Sequence, residues 1–145
     1  MKKIFKLIAF LAILLMLVGG FFSCGEKERY DIYSLHNISA CGVEDPLLNI
    51  EWLREFCNTV RLEQYAETQK LSSVYIDIYK VIDTDEHIFE ITISLIDGFP
   101  ESDFRNCNGV TVFHWLNTGV GDPSRYNDFM EDKEFVVKLY HFAKH

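Results

Sequence analysis

The chain has 145 residues, 48% of them hydrophobic, and a formal net charge of −8 from 22 acidic against 14 basic residues. That length suits one domain with a core large enough to fold without a metal or a dense disulfide framework. The acidic balance and the lack of any basic stripe argue against nucleic acid and anionic lipid surfaces as partners, because both are recognised through clustered Lys and Arg.

Residues 1–23 read as an export signal. Lys2, Lys3 and Lys6 form a positive end, Leu7 to Val18 an apolar run, and Gly19-Gly20-Phe21-Phe22-Ser23 leads to Cys24 and Gly25. A cysteine there, after a small residue and before glycine, resembles the lipobox of bacterial lipoproteins. The resemblance implies cleavage before Cys24, lipid on its thiol, and a place in the cell envelope as an outer-membrane lipoprotein. Phe21 and Phe22 depart from the Leu and small residue usual at those positions. The alternative is an uncleaved helix from Ile4 to Phe22 that holds the protein in the inner membrane. It is close to bilayer-spanning length, although Gly19-Gly20 weakens it near its end. Either way the positive residues stay cytoplasmic and the remainder is exported. Loss of residues 1–23 removes three lysines and leaves 122 residues, in which eleven basic against 22 acidic side chains give −11. Residues 24–40 then read as a tether and docking segment. Gly25-Glu26-Lys27-Glu28-Arg29 is the solvated part, and Ile32, Tyr33, Leu35 and Ile38 are the part that docks on a single domain formed by residues 41–145.

Asp45-Pro46 is a helix start, with Asp as cap and Pro in the first turn. Leu48, Trp52 and Phe56, with Ile50, Leu53, Cys57 and Val60, make a wide apolar stripe; Asn49, Glu51, Arg54, Glu55 and Asn58 cover the other side. The pattern predicts an amphipathic helix over about 46–58, continuing toward Lys70 through Leu62, Tyr65 and Ala66. Ser73–Ile82 alternates Val74, Ile76 and Ile78 with Tyr75, Asp77 and Tyr79. His87–Ile96 alternates Phe89, Ile91, Ile93 and Leu95 with Glu90, Thr92 and Ser94. Asp83-Thr84-Asp85-Glu86 joins them as the turn of an antiparallel hairpin. Asp97–Asn106 reads as a loop around Gly98 and Pro100. Asn108-Gly109 is a turn signal before a third strand, Val110–Leu116. Asn117–Lys133 is a connection with a short helix begun at Ser124. Glu134–Phe142 is a fourth strand, with Phe135, Val137 and Leu139 against Val136, Lys138 and Tyr140. The expected fold class is α+β, one amphipathic helix packed on a four-stranded antiparallel sheet.

With Cys24 lipidated, Cys41, Cys57 and Cys107 remain, in a compartment that permits disulfides. An odd number allows one bridge. No pair has CxxC spacing, so neither a thioredoxin-like site nor a zinc ribbon is suggested. Cys57 lies about 11 residues into the helix, roughly 16 Å from its start, which makes a bridge back to Cys41 difficult. Cys41–Cys107 is the favoured pair and Cys57–Cys107 the alternative. The sequence has no GxSxG, HExxH or phosphate-cradling glycine loop. Cys107 and His114, seven apart across a turn, are a generic Cys–His spacing that competes with the disulfide. Asp83, Asp85 and Glu86 lack the spacing of a calcium loop. His36, His87, His114, His141 and His145 form no ligand pair on a helix. The expectation is a non-enzymatic protein without cofactor, metal or catalytic residue.

The sheet face away from the helix would carry Tyr75, Asp77, Tyr79, Glu90, Thr92, Lys138 and Tyr140. Phe113 and Trp115 join it if Val112 and His114 point inward; a one-residue slip reverses that. Tyr and Trp among polar groups are typical of contact surfaces. Tyr75, Tyr79, Trp115 and Tyr140 are therefore the expected contact residues. They would meet an envelope protein partner or, as stacking platforms, a glycan or small molecule.

Cys41-Gly42-Val43-Glu44-Asp45-Pro46-Leu47, followed by Asn49-Ile50-Glu51-Trp52-Leu53, resembles a family of small Bacteroidetes lipoproteins with a signature of roughly CGV-x-DPL-x-NL-x-WL. Those proteins continue as a helix, paired strands and a Cys-containing turn, a place taken here by Asn106-Cys107-Asn108-Gly109-Val110. The resemblance covers about residues 41–116 and implies fold and location; the family is of unknown function and brings no activity. The long Asn117–Lys133 connection departs from it. The motif also has a structural reading. Asp45-Pro46 starts the helix, and Trp52 and Leu53 anchor it on the sheet, each contributing about 1.5–3 kcal/mol if buried.

Overall fold

The computed structural model describes residues 30–60, 70–119 and 122–144. The expected export signal, Cys24, the tether up to Arg29, and the helical continuation through Leu62, Tyr65 and Ala66 lie outside the described residues. In chain order the elements are β1 (Tyr30–Ser34), β2 (Ser39–Ala40), β3 (Val43–Glu44), α1 (Pro46–Asn49), α2 (Glu51–Val60), β4 (Leu71–Val81), β5 (His87–Leu95), β6 (Glu101–Asn106), β7 (Thr111–Leu116), α3 (Ser124–Met130) and β8 (Lys133–Lys144).

Six of the strands form one antiparallel sheet in the order β1-β8-β4-β5-β6-β7, and β2 and β3 form a separate two-stranded ribbon. The expectation of one helix on a four-stranded sheet is thus corrected: the described chain is mostly β, with a six-stranded sheet and short helices. The two additional strands lie where periodicity carried no signal. Glu101–Asn106 has one large apolar residue, Phe104, and its composition predicts a loop, yet its backbone pairs with β5 on one side and β7 on the other. Tyr30–Ser34 lacks a clear period and pairs residue for residue with the end of β8.

The β4–β5 hairpin follows its alternation. Val74, Ile76 and Ile78 lie opposite Ile93, Ile91 and Phe89, on one face of the sheet. Leu47, Ile50, Leu53 and Cys57 pack on that face, and Tyr140 and Phe142 of β8 complete the core. The helix is interrupted. Ile50 is extended (φ −93°, ψ 110°) between α1 and α2. Asp45 does not cap through its side chain; it has a left-handed φ of 47°, and its carboxylate accepts from His36 Nδ1–H at 2.7 and 2.9 Å.

Between β2 and β3, Cys41 and Gly42 have φ of 57° and 74°, the pair of positive values that a primed two-residue hairpin turn requires. The Cys41 N–H donates to His87 Nδ1 at 3.3 Å, which needs that ring nitrogen unprotonated. Burial, and then the Lys80 charge, hold the His87 pKa below its ordinary value. Cys41 is joined to Cys107 by a disulfide, with Cα atoms 5.6 Å apart. Cys57 lies outside the bridge and is buried. The Trp52 Nε1–H donates to the Cys107 carbonyl at 3.1 Å. In the same turn Gly109 has φ 78°, and a Cβ there would lie 2.7 Å from Trp52 Cγ. The bridge therefore clamps the β2–β3 turn and the β6–β7 turn over the start of α2.

In β8 the register against β4 shifts twice, between Ile76 and Asp77 and between Ile78 and Tyr79. Such bulges re-aim side chains. Tyr140 consequently sits opposite Ile76 and is fully buried on the helix side, which corrects its expected place on the outer face. The closed loop spans a separation of 66 residues, for which chain entropy gives about 4 kcal/mol. A Cys41→Ala/Cys107→Ala variant is expected to lose roughly that much stability in urea unfolding. An unchanged midpoint would show that the bridge does not constrain the unfolded chain.

Candidate functional site

Cross-strand partners share a face, so the pairing register reads directly as transverse rows on the side away from α1 and α2. One row takes a residue from each of the six strands: Tyr33, His141, Tyr75, Thr92, Ser102 and Trp115. The adjacent row runs Lys138, Asp77, Glu90, Phe104 and Phe113. A third starts Phe135, Tyr79, Ile88.

Both ends of these rows are aromatic. At the β1–β8–β4 end, the His141 ring stacks on Tyr75 with centroids 4.5 Å apart, and Lys138 Nζ stands 4.8 Å from the Tyr75 ring. Tyr79 meets Phe135 at 5.7 Å. At the β6–β7 end, α3 lies across the sheet. Phe129 stacks on Phe113 at 4.3 Å and meets Phe104 at 4.9 Å, while Tyr126 contacts Trp115 at 5.7 Å. Lys133, at the start of β8, stands over the Phe129 ring and donates to its carbonyl.

Between the aromatic ends lies a polar strip. Thr92 Oγ1–H donates to Glu90 Oε1 at 3.4 Å. The Ser102 hydroxyl is 2.9 Å from Thr92 Oγ1 and must be the donor there, since Thr92 has one proton and a carboxylate can only accept. Glu90 is 9% exposed. Beside it, Asp77 Oδ1 is shielded from solvent and has no hydrogen-bond partner among the described residues. Burial raises the Asp77 pKa; Lys138 opposes the shift and Glu90 adds to it. Burial and the Glu90 carboxylate push the Tyr79 phenol far above its usual range, and burial, Glu90 and Asp77 raise Tyr126 as well. Both phenols are therefore proton donors at neutral pH. The strip sets hydroxyls and carboxylates beside aromatic rings, with Glu90 and Ser102 themselves buried.

Of the expected contact residues, Tyr75, Tyr79 and Trp115 share this face and Tyr140 does not. Tyr33, Ser102, Tyr126 and His141 join them; finding them required the β1, β6 and β8 pairings and the seat of α3. Cys107 is in the disulfide and His114 lies on the opposite side of β7, 3.7 Å from Glu101, so the two do not form a thiol–imidazole pair. Among the described residues no three His, Cys, Asp or Glu side chains gather as a metal site, and no helix is long and apolar enough to cross a membrane. Comparison with protein-family models, curated proteins and solved structures finds no match to this chain.

A carboxyl whose folded-state pKa exceeds its unfolded value, about 3.9 for Asp, binds its proton more tightly when folded, so stability falls as pH rises through that window. Asp77→Asn is thus expected to raise the urea midpoint at pH 7, with the gain disappearing once the pH falls below the unfolded value. Equal midpoints at every pH would mean that Lys138 offsets the burial completely.

Proposed function

We propose that this protein is a non-enzymatic recognition module of the cell envelope, attached to the outer membrane through lipid on Cys24, that contacts another envelope protein with the outer face of its sheet. The observation that carries the contact is the six-strand row Tyr33, His141, Tyr75, Thr92, Ser102, Trp115. Tyrosine, tryptophan and polar groups on a broad sheet face match the make-up of protein interfaces. Tyr33 and Phe135 at its open end are about half exposed (46% and 54%). The location rests on the Lys2–Cys24 pattern and on the likeness of Cys41–Leu47 to small Bacteroidetes lipoproteins. A glycan is the second reading, favoured by the Ser102–Thr92–Glu90 chain lying between Tyr75 and Trp115, since sugars are held by stacking with hydrogen bonds to hydroxyls.

Metabolic labelling with an alkyne fatty acid is expected to tag the protein and to leave Cys24→Ser untagged; label retained in that variant would sink the anchor. For the contact, tagged protein is crosslinked in its native envelope and captured, with Tyr75→Ala and Trp115→Ala alongside. The expected result is one specific envelope protein recovered with the parent and lost with either variant, while circular dichroism stays unchanged. Recovery of the same proteins from all three would remove the outer face as the contact. Capture of none, with Trp115-dependent quenching of fluorescence by soluble oligosaccharides, would assign the face to a glycan instead.

A further inference from the structure

On the helix side of the sheet, away from the aromatic rows, a cavity of about 190 Å³ opens between the β1–β2 connection, α1 and α2. Its inner wall is Leu47, Cys57 and Tyr140, all buried; His36, Leu48, Arg54 and Asn58 form the rim. Among the described residues, the inner wall is apolar apart from the thiol and the phenol.

The rim holds one guanidinium, that of Arg54. Lys70, Lys80, Arg105 and Lys133 each have a carboxylate within 3.0 Å. Arg54, like Arg125 and Lys138, has none among the described residues, and of these three it alone borders the cavity. Its one hydrogen bond, Nη1–H to the Leu48 carbonyl at 3.0 Å, orients the guanidinium and leaves its other N–H groups for a planar oxyanion, the partner this fork fits best. The Asp45 carboxylate, beyond the rim, is already engaged by His36.

We propose that this cavity binds a short-chain monocarboxylate, its carboxylate on Arg54 and its hydrocarbon tail against Leu47, Cys57 and the Tyr140 ring. Size sets the tail. An apolar cavity of about 150 Å³ accommodates benzene, so this one takes a chain of about six carbons. Each methylene buried strengthens binding by about fourfold until the cavity is full.

The test is a titration of the full chain with butanoate, hexanoate and decanoate, followed by NMR of the Leu47 and Leu48 methyls. Saturable shifts are expected, with affinity rising about fourfold per methylene from butanoate to hexanoate and falling at decanoate. Arg54→Gln, a change at an exposed side chain, is expected to weaken hexanoate by about tenfold or more. Hexanoate that leaves both methyls unmoved would overturn the site. Hexanol binding as tightly as hexanoate, or Arg54→Gln binding as tightly as the parent, would overturn the carboxylate assignment.

Discussion

Trp52 is where the helix layer, the sheet and the disulfide are tied together. An indole packed into a protein finds a partner for its N–H, and for the half-buried Trp52 the Cys107 carbonyl supplies it. The ring meets Phe89 edge-on at 5.5 Å, and the Arg105 guanidinium stands 5.8 Å from it. The turn that presents the carbonyl comes so close that only glycine fits at position 109, and the Cys41–Cys107 bridge holds that turn against the neighbouring hairpin. With Trp52 fixed, the rest of the α2 stripe falls on Val74, Ile76 and Ile78. Because these contacts share one side chain, their energies will not add.

One face of the sheet is closed in this way, and the other carries α3 across its β6–β7 end. The bulges in β8 separate the two uses of a single strand. Tyr140 and Phe142 turn into the core while Lys138 and His141 turn outward to Tyr75. A strand of unbroken alternation would have put Lys138 and Tyr140 on the same face. The charged and aromatic groups of the outer face therefore depend on backbone irregularity as much as on sequence pattern.

The same irregularity marks how far the sequence could be read. The β4–β5 hairpin was legible because every second residue is β-branched or aromatic and polar turn residues separate the strands. The α2 stripe was legible too, although the extended Ile50 that divides it from α1 left no trace in the periodicity. β6 was not legible: Glu101–Asn106 gets its strand conformation from ladders on both sides, and tertiary context outweighed a polar composition. β1 was missed for a related reason, since its partner lies more than a hundred residues away along the chain. At the candidate site, Tyr75, Tyr79 and Trp115 followed from alternation, whereas Tyr140 needed the bulges, and Tyr33 and Tyr126 needed the placement of β1 and α3.

The strand order has a consequence for how the molecule comes into being. β8 is the last of the described strands in sequence yet sits between β1 and β4. Before it arrives, β1 has no strand partner among the described residues, and the Val- and Ile-rich β4 presents an open edge, the kind of surface that recruits other chains. Such non-local pairing is slow to form, and here it waits for the ribosome to deliver residues 133–144. Until those residues are made, the chain lacks the strand that joins β1 to β4. Over that interval the apolar edge of β4 is the place where pairing with another chain competes with the native fold.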